Sequence, residues 1–323
     1  MISHKFIIWA CGLLFVFGSC AEDMVKPIEN DKDAPGTVQD VKTESLPGAV
    51  KFTYTLPSDP DLLYVLAKYT NKTGKVMEFR SSFYTNSVTV EGFGDTDTYK
   101  VELYTVDRSE NRSQPQIVEV APLTPPILSC YESLSMVSDF GGMTFEMDNQ
   151  FKSDLAIYVC TPDELGDMVL AETFYSAREE IAYSVRGYDA VPRRFGIFLQ
   201  DKYGNETDTL FTELTPIYER ELDKTKFREM YLQNDSRVDS YDGKMEYVWN
   251  GRISKDGDSG GVGLHTGTGT KDGPAVFTFD LGVLAKLSRF ALWAIQDEKH
   301  FYNDMSPRRY EVWGCATEPN PDG

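Results

Sequence analysis

The feature that most constrains the fold is an internal repeat, seen in VDRSENRSQPQIVEVAPLTP (residues 106–125) and LQDKYGNETDTLFTELTP (residues 199–216). Each copy has an Asp, a basic residue beside it, an Asn four places after the Asp, and a downstream Leu-Thr-Pro. Gly92 and Gly187 follow the same register, each lying in a Val-x-Gly-aromatic motif. Because these landmarks keep an offset of about 93 to 95 residues, the chain is predicted to contain one structural unit twice.

The repeated unit is predicted to be a small β-sandwich. Phe52 and Tyr54 alternate with threonines, as in a strand with one buried face, and a shift of 93 residues places Phe145 in the same pattern. A unit of about ninety residues with short alternating strands and polar turns resembles an immunoglobulin or fibronectin type III-like sandwich. The sequence therefore predicts an all-β chain with two tandem sandwiches, placed at residues 35–122 and 126–216.

The motifs DRSEN and DKYGN are interpreted as the turn before the last strand of each sandwich. Asn and Gly there tolerate the left-handed backbone that such turns need. A second interpretation treats Asp107 and Asp201 as metal ligands, since carboxylates bind hard cations. The stretches APLTPP (121–126) and LTPIYE (214–219) are interpreted as stiff linkers that end each module, because Pro fixes φ and restricts its predecessor.

The N-terminus has the pattern of a secretory signal. Lys5 precedes a twelve-residue apolar run, Phe6 to Phe17, which is too short to span a bilayer. Small residues directly before Cys20 resemble a bacterial lipoprotein cleavage site, which implies that Cys20 is lipidated and anchors the protein in a membrane. Residues 1–20 are therefore predicted to be a lipoprotein signal peptide. The alternative is an ordinary signal peptide with an unrelated Cys.

The residues that follow are predicted to form a flexible tether, at 21–34, because they are polar and charged. Glu22 and Asp23 directly after Cys20 resemble the surface-export signal of Bacteroidota lipoproteins. This resemblance implies a protein anchored in the outer membrane and facing the cell exterior.

The charge balance limits the classes of partner. Asp and Glu total 51 against 32 Lys and Arg, a formal charge of −19. A surface this acidic repels phosphate backbones, which argues against nucleic acid as a partner. After residue 20 the cysteines are Cys130, Cys160 and Cys315, without a CxxC pair. Both a Cys130–Cys160 bridge and two free thiols are compatible with this spacing.

The pattern changes after residue 221, and the segment 221–323 is predicted to be a third domain. LDKTKFREMYL (222–232) predicts a short helix with Asp223 as its N-cap. Strands are predicted at AVFTFDLG and LSRFALWAI. The run of VWNG, FTFDLG, LSRFALW and PRRYEVWG, in this order, resembles a discoidin-like (coagulation factor type C) domain.

The resemblance implies a jelly-roll sandwich whose loops at one end bind sugars, often beside a structural calcium ion. It also implies further strands after the last motif, so the discoidin-like domain is expected to be truncated. Together with a lipidated Cys and two sandwiches, this domain resembles the surface lipoproteins of polysaccharide-utilisation systems in Bacteroidota.

Candidate sugar contacts follow from residue type. Flat aromatic faces stack on sugar rings, and Arg and His bind hydroxyl groups. QDEKHFYNDMS (296–306) is a polar loop with two adjacent aromatic residues, which no strand periodicity can bury together. The predicted glycan contacts are Trp249, Arg252, His300, Phe301 and Tyr302. In the Gly-rich loop KDGDSGGVGLHTGTGTKDG (255–273), Asp256 and Asp258 are candidate ligands of structural Ca²⁺, with a solvated turn as the alternative.

The chemistry of the sequence favours binding over catalysis. HExxH does not occur, and the Gly-rich loop matches neither a P-loop nor a dinucleotide-binding fingerprint. The principal hypothesis is a non-catalytic, surface-anchored glycan-binding lipoprotein whose sandwiches act as spacers. One alternative is a structural lipoprotein that docks to an outer-membrane transporter or glycosidase. The other is a glycosidase accessory whose catalytic part lies beyond this sequence.

Overall fold

The computed structural model describes residues 31–238, 242–253, 263–266, 274–294, 296 and 307–321. The chain divides into two compact units. The first contains Glu146–Ala182, Phe195–Thr212 and the described residues as far as Ser135, and the second contains Met136–Phe145, Tyr183–Arg194 and the described residues from Glu213 onward. Within the ranges described, no helix has the length and apolar character needed to cross a membrane.

The first repeat forms two antiparallel sheets. Its strands are β1 (Gln39–Leu46), β2 (Ala49–Thr55), β3 (Leu62–Thr70), β4 (Val76–Ser82), β5 (Ser87–Glu91), β6 (Tyr99–Asp107) and β7 (Gln116–Val120). One sheet has the order β1-β2-β5, and the other has the order β4-β3-β6-β7. This division of seven strands is that of an immunoglobulin or fibronectin type III-like sandwich.

The core of the first sandwich comes from the inward faces of both sheets. Along β2, Val50, Phe52 and Tyr54 are buried while Lys51 and Thr53 are exposed, because successive side chains of a strand point to opposite faces. Burying each large side chain contributes roughly 2 kcal/mol. The buried cluster comprises Val38, Val50, Phe52, Tyr54, Val65, Ala67, Tyr69, Val88, Val90, Phe93, Val101, Leu103 and Val120.

The second repeat has the same strand order. It begins after a short helix, α1 (Pro126–Ser133), which the sequence did not predict and which starts at a proline. Its strands are β8 (Ser135–Asp139), β9 (Gly142–Asp148), β10 (Leu155–Pro162), β11 (Met168–Ser176), β12 (Glu180–Arg186), β13 (Arg193–Asp201) and β14 (Leu210–Leu214). The sheets are β12-β9-β8 and β11-β10-β13-β14, so each strand takes the place of the one seven earlier. The prediction of tandem sandwiches is confirmed.

The repeated Asp marks the same turn in each copy, as predicted. Asp107 ends β6 and Asp201 ends β13, and the last strand of the repeat follows each turn. In both turns the Asp Oδ1 accepts backbone N–H bonds from the residues two and four positions further on, at 2.8 to 2.9 Å. The Asp side chain therefore replaces backbone partners and fixes the turn locally.

The two Leu-Thr-Pro motifs, in contrast, are not equivalent. Leu123 forms a parallel bridge with Pro47, and it is Ile217 that forms the corresponding bridge with Phe140. Leu214 is instead the last residue of β14. The linker pairs with the turn between the first two strands of its repeat, and this pairing decides which linker residues are equivalent. The shared Leu-Thr-Pro sequence does not identify them.

The helix expected at 222–232 is wrong in type. A 3-10 helix spans Lys224–Lys226, and β15 (Arg228–Met230) follows it and pairs antiparallel with β16 (Thr278–Asp280). Asp223 is the N-cap, as predicted, because its Oδ1 accepts the N–H of Thr225 at 3.1 Å. A short helix is marginal by itself, and pairing with a distant strand satisfies the backbone groups of β15 instead.

The strand expected within AVFTFDLG is confirmed by β16. No strand is formed across the described residues of the second predicted strand, 287–294, or of the last discoidin-like motif, 307–314. A strand needs a hydrogen-bonded neighbour, and these segments find none within the described ranges. The discoidin-like jelly roll therefore stays a prediction.

Candidate functional site

Two of the predicted site residues, Trp249 and Arg252, are described in the structure. The remaining predicted site residues lie outside the described residues: Cys20, Asp256, Asp258, His300, Phe301 and Tyr302. The predictions of lipidation, of calcium ligation and of the aromatic loop contacts therefore stay predictions.

Trp249 lies at the end of a 3-10 helix, Met245–Val248, and packs in an aromatic cluster. The centroid of its ring is 5.8 Å from that of Phe227, edge to face, and 5.2 Å from that of Phe279. Phe279 belongs to β16 and Phe227 lies directly before β15, so the cluster connects the turn to the β15–β16 ladder. The half-buried Trp249 ring thus has a packing role that the sequence did not indicate.

Arg252 lies three residues further on and is exposed. The backbone N–H of Arg252 donates to Asn250 Oδ1 at 2.8 Å, which closes a tight turn. Gly251 within that turn has a φ of 78°, a left-handed value that favours glycine. The turn therefore holds an exposed guanidinium, with its planar set of donors, close in sequence to the Trp249 ring.

A network centred on Glu219 joins the second repeat to the C-terminal segment, which is the part of the chain from residue 221 onward. The sequence alone did not indicate this network. Glu219 Oε1 accepts from the Ser288 hydroxyl at 2.6 Å and from Arg289 Nε at 2.9 Å, while Oε2 accepts from Arg289 Nη2 at 2.9 Å. Arg186 Nη1 is 3.7 Å from the same carboxylate. Arg186 in turn bonds Asp139 Oδ2 through Nη2 at 2.7 Å.

The surroundings of Glu219 stabilise its charged form. The hydrogen bond from Ser288 lowers the pKa of this carboxyl, burial acts in the opposite direction, and Arg289 lowers it further. The Glu219 side chain is only 12% exposed. Since Ser288 and Arg289 belong to the C-terminal segment, the carboxylate fixes that segment against β8, β12 and the linker after β14 within one unit.

An acidic cluster lies where the chain enters the first sandwich. Single carboxylate oxygens of Asp31, Asp61 and Asp107 come within 4.8 Å of one another. The Asn111 amide bridges two of them, with Nδ2 at 3.0 Å from Asp31 Oδ1 and 2.9 Å from Asp107 Oδ2. Since Asp201 makes the same turn bonds in the second repeat, the turn accounts for the buried position of Asp107 without a metal ion.

The turn of the second repeat contacts the first sandwich. Asn205 Nδ2 donates to the carbonyl of Gly92 at 3.1 Å, and the Tyr203 hydroxyl donates to the Glu91 carboxylate. Burial and the neighbouring Glu91 raise the pKa of Tyr203. A Cβ at Gly94 would lie 2.6 Å from Asn205 Oδ1, so glycine permits this close approach. The repeated motif thus joins successive parts of the chain.

Neither Cys130 nor Cys160 is activated as a catalytic nucleophile. Cys130 and Cys160 are both free, which settles the alternative that the spacing left open. Cys130 is buried and donates to Asn149 Oδ1 at 3.6 Å. Burial raises the pKa of Cys130 to about 11 and also raises that of Cys160. Thiolate is the nucleophilic form, and at neutral pH it is disfavoured at both positions.

These features define a tandem β-sandwich protein in which turns and linkers join successive parts of the chain. Three family models match it: domains of unknown function DUF4959 at residues 35–122, DUF5126 at residues 123–225 and DUF5000 at residues 249–323. None of these three descriptions names a catalytic activity.

A segment covering 32% of this chain is 99% identical to the SusE-like protein BT2857, with a TM-score of 0.31, and spans 59% of that chain. A two-domain fibronectin type III segment of chicken tenascin is 12% identical, with 56% of this chain and 99% of that chain covered and a TM-score of 0.27. The chicken interferon gamma receptor alpha chain is 11% identical, with coverages of 57% and 100% and a TM-score of 0.24. No curated protein matches significantly. The chain therefore shares a nearly identical segment with a SusE-like protein.

Proposed function

We propose that this chain is a non-catalytic lipoprotein of the outer-membrane surface that binds glycan in a polysaccharide-uptake system. The observation that carries the proposal is the segment 99% identical to a SusE-like protein. The N-terminal sequence supports it independently, because small residues before Cys20 and acids after it resemble an exported lipoprotein signal. In this proposal a lipid on Cys20 anchors the protein in the outer membrane, and the protein faces the exterior of the cell.

The tandem sandwiches act as spacers in this proposal, and residues 221–323 contact the glycan. The exposed guanidinium of Arg252 binds sugar hydroxyls, and Trp249 supplies an aromatic edge beside it. His300, Phe301 and Tyr302 complete the proposed contact surface. The Glu219 network supports this arrangement, since it restrains residues 288 and 289 of the same segment.

Affinity gel electrophoresis of the full chain tests glycan binding. Separate gels contain starch, xylan, yeast α-mannan, pectin or mucin. We expect retardation on at least one gel, and a clear reduction of it in Arg252→Ala, whose side chain is exposed. Arg220→Ala, an exposed arginine outside the proposed contacts, is the matched control. A wild-type chain that migrates normally on all five gels would refute the proposed function.

The anchor is tested separately in bacterial cells. We expect radiolabelled palmitate to enter the wild-type protein and to be lost in Cys20→Ser. Protease added to intact cells should digest the wild-type protein if it faces the exterior. Label that persists in the Cys20→Ser protein would contradict lipidation at this position.

A docking function has one observation in its favour. β11 is an edge strand of its sheet, and Met168, Val169 and Leu170 on it are exposed. An apolar edge strand can pair with a strand of another protein, such as an outer-membrane transporter or glycosidase. A photo-crosslinker at position 169 in intact cells would then capture one such protein. Capture abolished by Leu170→Lys, with glycan retention unchanged, would favour docking by this edge.

A further inference from the structure

An open cleft lies on the outer face of the sheet β11-β10-β13-β14, within the first unit. Its volume is about 630 Å³, and Tyr158, Tyr175, Ala156, Gln200, Asp154 and Lys202 are among the residues that line it. Antiparallel pairing places Tyr175, Ala156 and Gln200 side by side across three strands. Because the central member of this row is only an alanine, a depression forms between the two larger side chains.

The first repeat shows what closes this depression. The row equivalent to Tyr175–Ala156–Gln200 consists of Ser82, Tyr64 and Val106. Tyr64 fills the central position there and is only 8% exposed. All three positions of the row differ between the two sheets, and at the central one a tyrosine stands where the second repeat has an alanine.

The large tyrosine of the first repeat is also held in place. Its hydroxyl donates to Glu110 Oε2 at 3.0 Å, and the Arg80 guanidinium carbon lies 5.1 Å from the centroid of its ring. The first repeat thus has a filled and covered surface at the position where the second repeat has an open one.

The lining of the cleft combines flat rings with an amide and charged side chains. The Tyr175 side chain is 75% exposed. Tyr158 stacks on Phe198 with a centroid separation of 4.7 Å and an angle of 11°, which fixes its ring, and its hydroxyl donates to Gln200 Oε1 at 3.2 Å. Rigid aromatic surfaces beside amide and carboxylate groups suit a ligand with an apolar ring face and hydroxyl edges.

We propose that this cleft is a second saccharide-binding site, which takes one ring of a neutral glycan against Tyr175. The inference rests on the proposed function, because it assumes that the chain binds glycan. Two carboxylates, Asp154 and Asp201, outnumber the one ammonium group of Lys202 in the lining, which disfavours an anionic ligand such as a phosphate.

The test uses the full chain on the same five polysaccharide gels. Tyr175→Ala removes the proposed stacking surface at an exposed position, and Ala156→Tyr fills the cleft with the residue that the first repeat has there. Both should reduce retardation at least threefold on a gel that retains the wild type. Tyr175→Phe keeps a flat ring and should retain it, and so should Tyr84→Ala, since Tyr84 is an 84% exposed tyrosine of the first sandwich.

The outcomes separate the two proposals. Loss in both cleft variants, with retention in Tyr175→Phe and Tyr84→Ala and unchanged melting temperatures, supports the cleft. If Ala156→Tyr unfolds, the contrast between Tyr175→Ala and Tyr175→Phe decides. Unchanged retardation of Tyr175→Ala, together with loss in Arg252→Ala, overturns the cleft and leaves the proposed function standing. No retardation of the wild type on any gel overturns both.

Discussion

Replacing Glu219 by Gln should loosen the attachment of the C-terminal segment to the second repeat. The substitution keeps the shape of the side chain but removes the charge that accepts from Ser288 and Arg289. A hydrogen bond to a charged acceptor contributes about 1.5 kcal/mol at the low end of its range. Arg289 is 60% exposed, so solvent screening limits its ion pair to about 0.5 kcal/mol.

The two contributions together amount to about 2 kcal/mol, which corresponds to roughly a 30-fold change in a local opening equilibrium. Limited proteolysis measures this opening, because the cleavage rate follows the population of the open form when opening and closing are fast. We expect trypsin cleavage after Arg289 to become about 30-fold faster in Glu219→Gln, because the open form becomes about 30-fold more populated. Glu221→Gln is the matched control, since the Glu221 side chain is 76% exposed and pairs only with Lys224 among the described residues.

The sign of the pH dependence follows from the lowered pKa of Glu219. Its contribution is fully present above the ordinary pKa of the carboxyl and is lost as pH falls through the lower native value. The difference between wild type and Glu219→Gln should therefore shrink in acid. Equal rates of cleavage after Arg289 in both proteins at neutral pH, or an equal effect in Glu221→Gln, would refute the assignment of Glu219 as the attachment point.

Three further predictions concern the sandwiches and the thiols. Tyr54→Phe should raise the free energy of unfolding by about 1 kcal/mol in a denaturant titration, because the buried Tyr54 hydroxyl has no hydrogen-bond partner among the described residues. The Ser81 hydroxyl already donates to a backbone carbonyl. A loss of stability in Tyr54→Phe would contradict this prediction. Gly94→Val should separate the melting transitions of the two repeats in calorimetry, since its side chain would press on the turn of the second repeat, and an unchanged thermogram would count against that contact. A thiol reagent should modify exposed Cys315 quickly and buried Cys130 only after unfolding, whereas no gain of reactive thiol on unfolding would indicate a Cys130–Cys160 disulfide.

The fold of the two sandwiches was accessible from the sequence because its signals are local. Alternation of Phe52 and Tyr54 with threonines reports a buried strand face directly. Asp107 and Asp201 bond backbone groups two and four residues away, so each turn is encoded within five residues. A repeat of such local signals indicates two copies of one fold before any contact is known.

The candidate sites were less accessible, since they depend on which strands become neighbours. Trp249 was selected for its ring, but its packing on Phe279 depends on the β15–β16 ladder. Glu219 is one of many acids in the chain, and it becomes distinctive only when Arg289, seventy residues away, reaches it. No local pattern reports a partner at that separation.

The sequence by itself thus determined the all-β class, the tandem repeat and the turns that end β6 and β13, because periodicity and short-range hydrogen bonds act within a few residues. Tertiary structure decided the rest. It paired β15 with a distant strand where a helix was expected. It also made Leu123 and Ile217 the equivalent linker residues of the two repeats, since they form the corresponding bridges to Pro47 and Phe140. It also opened a cleft at Ala156 where the first repeat has Tyr64. Each of these outcomes depends on strand register, which is set by hydrogen bonds and packing between segments far apart in the chain.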